Sequence, residues 1–269
     1  MWKSIPGLIN PILIQIGPLS IRWYSLMYVT GLMVVYYSFI IHNKREQRGY
    51  EKVMTSFLNY SLIGIIIGAR LGYVLFYNFA YYKQHLLEIF LPFQDGRFVG
   101  ISGLSYHGGA IGFLLAMILL SQSYKINIFD FLNFINRFVP LGYTFGRIGN
   151  FLNLELYGRK TNSILGMRFP SDPEFALRYP SQLLEAIGEG LLIYVILLLV
   201  HRINSNIITP MYLILYGVIR FFIEFFREPD HFQVLWLDYF SYGQVLSIVM
   251  ILLGLISIPI FLKYAKFKR

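Results

Sequence analysis

Two segments of the sequence set guanidinium and carboxylate groups at helical spacing inside otherwise apolar runs. In the segment 216–230, Arg220, Glu224 and Arg227 fall at i, i+4 and i+7, so a helix there would carry them on one face. Glu224 can hold one arginine and leave positive charge free for an anion. In the segment 146–158, Arg147, Asn150 and Asn153 are spaced by three, one polar face if the helix continues. Arginine forks match phosphate oxygens, and asparagine can bind neighbouring ester or hydroxyl groups. A third constellation, Ser105-Tyr106-His107-Gly108-Gly109, offers a histidine whose ordinary titration range suits a general base. A histidine at a helix start is more commonly a cap or a packed ring, so this signal is weak by itself. Glu185 and Glu189 lie one turn apart behind Pro180, which suits a helix start. Together these groups point to recognition of an anion at the edge of an apolar phase.

The elements that must position them are membrane helices. Of the 269 residues 56% are hydrophobic and only 14% charged, against roughly 25% charged in ordinary soluble domains. Such a chain cannot cover a water-facing surface of its size, which excludes soluble enzymes, nucleic-acid binders and disordered scaffolds. The net charge of +9 is then read as facing anionic lipid head groups, not nucleic acid. There is no cysteine, so a disulfide, a thiolate metal site or a cysteine nucleophile is excluded, and any thiol chemistry must use a substrate's thiol. Seven stretches reach or approach the ~20 apolar residues that a bilayer core requires: 19–41, 57–77, 107–122, 129–148, 183–200, 209–226 and 243–262. Residues 1–18 read as an interfacial or re-entrant lead-in. Lys44, Arg45, Arg48 and Lys52 after the first stretch, with the basic C-terminal tail, put the N-terminus outside and the C-terminus inside. The long connections 79–106 and 149–182 then face outward. The fold expected is all-α, a single polytopic membrane domain over 1–269. Arg70, Arg147, Glu189, Arg220 and Glu224 are functional candidates because charge within a span is costly; Arg22 reads as snorkelling, and the spacing of Gly64, Gly68 and Gly72 as close helix packing.

Taken together, these stretches resemble the prolipoprotein diacylglyceryl transferase family. The resemblance rests on 22–28, 68–78, His107-Gly108-Gly109, 146–158, Pro180-Ser181-Gln182-Leu183-Leu184-Glu185 and 220–230, in the family's order and over nearly the whole chain. The 146–158 block, with Arg147, Asn150, Asn153 and Glu155, is the specific signature. Tyr179 stands where the family usually has histidine, and Leu154 where a small residue is common. The resemblance implies a bacterial inner-membrane enzyme with seven spans that moves the diacylglyceryl group of phosphatidylglycerol onto the lipobox cysteine of a preprolipoprotein signal peptide. A thioether forms, glycerol 1-phosphate leaves, and no metal or organic cofactor takes part. By motif match it implies Tyr24, His107, Arg147, Arg220 and Glu224 as catalytic positions, and Arg147, Asn150, Asn153, Gly158, Arg220 and Tyr216 as the phosphatidylglycerol contacts. Two rivals remain at this point: a lipid flippase or anion transporter, and another phospholipid-head-group transferase.

Overall fold

The computed structural model describes residues 2–17, 19–91, 93–94, 97–98, 103–228 and 240–265, without the side chains of residues 19, 93–94, 97–98, 106 and 107. The chain is mostly helical. A 3-10 turn (Trp2–Leu8) leads into a hairpin of β1 (Ile12–Ile16) and β2 (Leu19–Arg22), after which come α1 (Trp23–Glu46) and α2 (Glu51–Phe76). A short hairpin, β3 (Phe93–Gln94) with β4 (Arg97–Phe98), precedes α3 (Tyr106–Ser123). Then follow α4 (Ile128–Asn136), α5 (Val139–Leu152), and the hairpin of β5 (Met167–Arg168) and β6 (Leu177–Arg178). The helix α6 (Ser181–Ile203) is continuous, but its middle, Ala186–Leu192, is π-wound. Ser205–Ile223, mostly α7 (Ile208–Ile223), and α8 (Tyr242–Tyr264) complete the order. Five helices (α1, α2, α6, Ser205–Ile223 and α8) are long and apolar enough to cross a membrane, and α3 is a shorter apolar one.

Three expectations change. The stretch expected to begin at residue 19 starts as strand, because residues 19–22 pair with β1 and the helix opens at Trp23. The stretch 129–148 is two helices, broken between Asn136 and Val139 beside Pro140; proline lacks the amide that would continue a helix through that point. Arg137 lies at the break, buried, with its guanidinium over the Phe134 and Phe138 rings. Finally, α7 ends at Ile223, so Glu224 and Arg227 sit on the turn after it and not on a continuing helical face.

The chain forms two compact units, Met1–Ile41 with Leu132–Arg269, and His42–Phe131. In the second, Gly64, Gly68 and Gly72 of α2 face Gly108 and Gly112 of α3, and a β-carbon on Gly68 would overlap the Gly108 carbonyl. Small residues thus let the two backbones touch, as the sequence spacing suggests. Arg70 is buried there. It donates to the carbonyls of Ile89 (2.5 Å), Glu88 (2.8 Å) and Gly103 (3.3 Å) and to the Tyr82 hydroxyl (3.2 Å). Its charge organises the connection after α2. The first unit contains an apolar cluster of Phe151, Leu154, Met167 and Phe169 under the 153–180 connection, and another of Ile193, Leu197 and Ile208.

Candidate functional site

Three helix termini of the first unit bring charge together: the end of α5, the start of α6 and the end of α7. Glu185 and Glu189 come from α6 and are fully buried. The π-wound stretch that carries Glu189 contains Gly188 and Gly190, which offer no side chain to resist the wider winding. Such turns recur at functional sites. Glu185 is the hub. Its Oε2 lies 2.8 Å from Arg147 Nε and 3.5 Å from Arg220 Nη1, and its Oε1 lies 3.1 Å from Arg227 Nη1. Arg220 Nη1 is also 3.5 Å from Glu189 Oε1, while its Nη2 reaches Glu224 Oε2 at 3.0 Å. Three arginines and three glutamates therefore form one buried network, and the expectation of a single arginine held by Glu224 is too simple. The arginine side chains keep 13–19% of their surface open while the carboxylates keep almost none. The carboxylates hold the guanidinium groups from within, and part of each arginine side chain stays open.

Tyr143 joins the network from α5. Its hydroxyl accepts from Arg147 Nε at 2.8 Å and donates to Glu185 (3.3 Å) and Glu189, and the Arg147 guanidinium lies over its ring. The sequence reading missed Tyr143, although Tyr143, Arg147 and Asn150 share the i, i+4, i+7 pattern used for the other segment. Arg147 Nη1 donates to Asn150 Oδ1 at 3.4 Å, and Asn150 Nδ2 donates to Glu155 Oε1 at 2.9 Å. Glu155, quoted in the signature but given no role, thus fixes Asn150. Asn153 is different: α5 ends at Leu152, and Asn153 accepts from Arg22 Nη1 at 3.2 Å. Arg22 is therefore engaged by protein and not simply extended to the interface.

Glu224 accepts from Ser241 Oγ at 3.1 Å, and Ser241 caps α8. Tyr216 meets Tyr143 edge-on, with ring centres 5.9 Å apart. Tyr24, near the start of α1, lies against Gly149 and stacks with Tyr28. Gly158 donates its amide to the Tyr179 carbonyl at 2.8 Å, and a β-carbon there would overlap the Phe226 carbonyl. Only glycine allows this approach, which bridges Gly158 to Arg227 and seats Arg227 beside Glu185. Tyr179 packs its ring on Phe226. Leu154 has φ +59°, a left-handed conformation that small residues, glycine above all, adopt more readily. Burial of its side chain against Phe151, Met167 and Phe169 offsets that strain.

His107 belongs to the second unit, on the first turn of α3, where Ser105 Oγ accepts from the Gly108 amide at 3.2 Å. Its side chain lies outside the described residues, as do positions 229 and 230 of the 220–230 segment. Among the described residues no group of three histidine, aspartate or glutamate side chains is arranged to hold a metal ion. What the network offers is a set of oriented guanidinium edges, the chemistry of an oxyanion clamp.

A family model described as prolipoprotein diacylglyceryl transferase matches residues 11–260. A protein of Chlorobaculum tepidum is 41% identical over 265 residues, covering 94% of this chain and 90% of its own length. One of Wolbachia pipientis wMel is 42% identical, covering 92% and 93%, and one of Rickettsia typhi 43%, covering 91% and 94%. All three are named phosphatidylglycerol–prolipoprotein diacylglyceryl transferase.

Proposed function

Because the chain belongs to the prolipoprotein diacylglyceryl transferase family, we infer that it moves the diacylglyceryl group of phosphatidylglycerol onto prolipoproteins, a step of lipoprotein maturation. The observation that carries the mechanism is the convergence of Arg147, Arg220 and Arg227 on buried Glu185. In this reading the acceptor is the thiol of a lipobox cysteine. Its sulfur bonds to the glyceryl methylene carbon as the bond from that carbon to the phosphate oxygen breaks. Glycerol 1-phosphate leaves with the electron pair. Its second pKa lies near ~6, so it departs largely as the dianion and needs no proton. The phosphate charge therefore grows toward the transition state, and in this reading Arg147 and Arg220 stabilise it. Glu224 orients Arg220, and Asn150 supports Arg147. Tyr24, Tyr216, Asn153 and Gly158 shape the phosphatidylglycerol site around them.

His107 takes the thiol proton. A free thiol is only slightly ionised at neutral pH, and a base can raise the rate by about 10² to 10⁴. A His107→Gln variant keeps hydrogen bonding and loses basicity, so raising the assay pH should restore much of its activity; activity near wild type at pH 7 would remove His107 from the reaction. No metal or organic cofactor enters this scheme.

The chain acts as one integral-membrane transferase of the bacterial inner membrane. Counting α3 and the broken α4–α5 pair as crossings gives seven spans, with the N-terminus outside. Single cysteines at Gln47 and Ser171 test this, since only the Ser171→Cys site should react with an impermeant thiol reagent added to spheroplasts. The decisive assay for function combines purified protein, phosphatidylglycerol and a lipobox peptide. Release of glycerol phosphate that depends on the peptide thiol is expected; release without the thiol, or none at all, overturns the transferase reading.

A further inference from the structure

The connection between α5 and α6 holds Phe175 in a strained, outward pose. Phe175 has φ +48° and is 54% exposed, a conformation unfavourable for a bulky L-residue and a poor place for an aromatic ring in water. The pose is imposed by the chain. The Phe175 amide donates to the Asp172 carbonyl (3.0 Å) and the Ala176 amide to Asp172 Oδ2 (3.1 Å). Asp172 is in turn gripped by Arg178. A fold that spends strain to present an aromatic ring points to something that receives it.

Beside the ring lies an open groove lined by Lys160, Thr161, Asn162, Arg168, Phe175 and Leu177, among others. Arg168 rests 5.8 Å from the Phe175 ring centre and meets no carboxylate or carbonyl acceptor among the described residues. Among the described residues Lys160 pairs with Glu174 alone, and both are more than half exposed, so an incoming anion can displace that contact. On the same connection Ile164 is 85% exposed and Leu165 half exposed. The Leu165 carbonyl accepts from the indole of Trp2, itself exposed, so an aromatic residue of the N-terminal turn lies beside this connection. Cations beside exposed aromatic and aliphatic side chains are the composition of an interfacial lipid contact.

We propose that the 156–177 segment docks on the bilayer surface, with Lys160 and Arg168 holding the phosphate of an anionic phospholipid and Phe175 and Ile164 seated at the head-group boundary. Both ends of the connection lead into apolar helices, so the bilayer is within reach. A polypeptide partner would instead need a free strand edge or a continuous groove, whereas these apolar side chains project singly from turns.

The absence of cysteine makes the test direct. A nitroxide on Phe175→Cys, and in a second preparation on Ile164→Cys, is measured in vesicles of phosphatidylcholine with and without phosphatidylserine. With the anionic lipid, each label should be relaxed by oxygen in preference to a water-soluble nickel chelate. Arg168→Gln or Lys160→Gln should weaken that preference by about fivefold each. Labels that stay in water in both vesicles overturn the proposal. Equal depth without anionic lipid overturns the phosphate site. Protection that appears only when a lipobox peptide is added overturns it in favour of the peptide. The readout is position, not transfer, so it stands or falls separately from the roles of Arg147 and Arg220.

Discussion

Two arginine–carboxylate clusters in the first unit use the same side chains to opposite ends. In the 153–180 connection, Arg178 meets Asp172 with both forks filled, Nε to Oδ2 at 2.9 Å and Nη2 to Oδ1 at 3.0 Å, while Nη1 reaches Glu228 at 3.0 Å. In the helix-end cluster, Arg220 Nη1 lies 3.5 Å from two different carboxylates. Among the described residues, Arg220 Nη1, Glu189 Oε1 and Glu224 Oε2 are buried without a hydrogen bond of good geometry. A filled fork holds a fold and has nothing left to give. An incomplete one, over a fully buried hub, leaves polar groups short of partners, which is costly; in the proposed mechanism that looser hold lets the arginines respond to a phosphate whose charge rises.

The comparison breaks most sharply on rate. Arg147→Lys and Arg220→Lys keep the charge and lose the planar fork, so each should lower kcat for diacylglyceryl transfer by about 10² to 10³ in a folded protein. Arg178→Lys should leave kcat within a few fold. Near-normal turnover by both site variants would remove the phosphate clamp.

Stability should divide the other way. Arg178→Gln strands the buried Asp172 carboxylate, which typically costs about 3 to 5 kcal/mol. Thermal unfolding in detergent should register that loss, and should move less for Arg220→Gln, because Glu189 and Glu185 retain Tyr143, Arg147 and Arg227 as partners. Equal losses at the two sites would erase the distinction between lock and clamp.

Double-mutant cycles sharpen it further. The coupling between Arg178 and Asp172 should sit near the upper end of the roughly 0.5 to 3 kcal/mol seen for contacting residues, and that between Arg220 and Glu189 near the lower. Adding a non-hydrolysable phosphatidylglycerol analogue should raise the second coupling and leave the first unchanged. A second coupling indifferent to the analogue would argue that the analogue does not bind there.

The two clusters also differ in how far the sequence discloses them. Arg147, Asn150, Arg220 and Glu224 are legible because charge is rare in these apolar runs and its helical spacing is regular. The hub role of Glu185 is not, since it depends on three helix ends meeting. The π-winding around Glu189 leaves no clear period to read. Helix existence is mostly legible from apolar length, but the break at 137–138 is hidden because Phe134 and Phe138 shelter Arg137 within an apolar run. The Asp172–Arg178 lock is invisible in sequence, because its partners are joined by a turn and a hairpin whose spacing has no signature.

The smallest expected effect is a dependence on acidity confined to the lock. Hydrogen bonds from Arg178 hold the Asp172 carboxyl below its ordinary range, against burial, which pushes it up. A carboxyl with a depressed folded value binds its proton more readily in the unfolded chain. Its contribution is therefore complete above the unfolded value near ~3.9 and lost as pH falls through the lower folded value. Amide exchange in peptides covering 170–180, corrected for intrinsic rates, should stay flat from pH 7 to 5 and rise only at stronger acidity. Asp172→Asn should raise exchange at neutral pH, by removing the charged acceptor, and flatten the acid response. Protection lost already between pH 7 and 5 in the parent protein would assign the lock's acid sensitivity to another group, since Asp172 stays ionised throughout that interval.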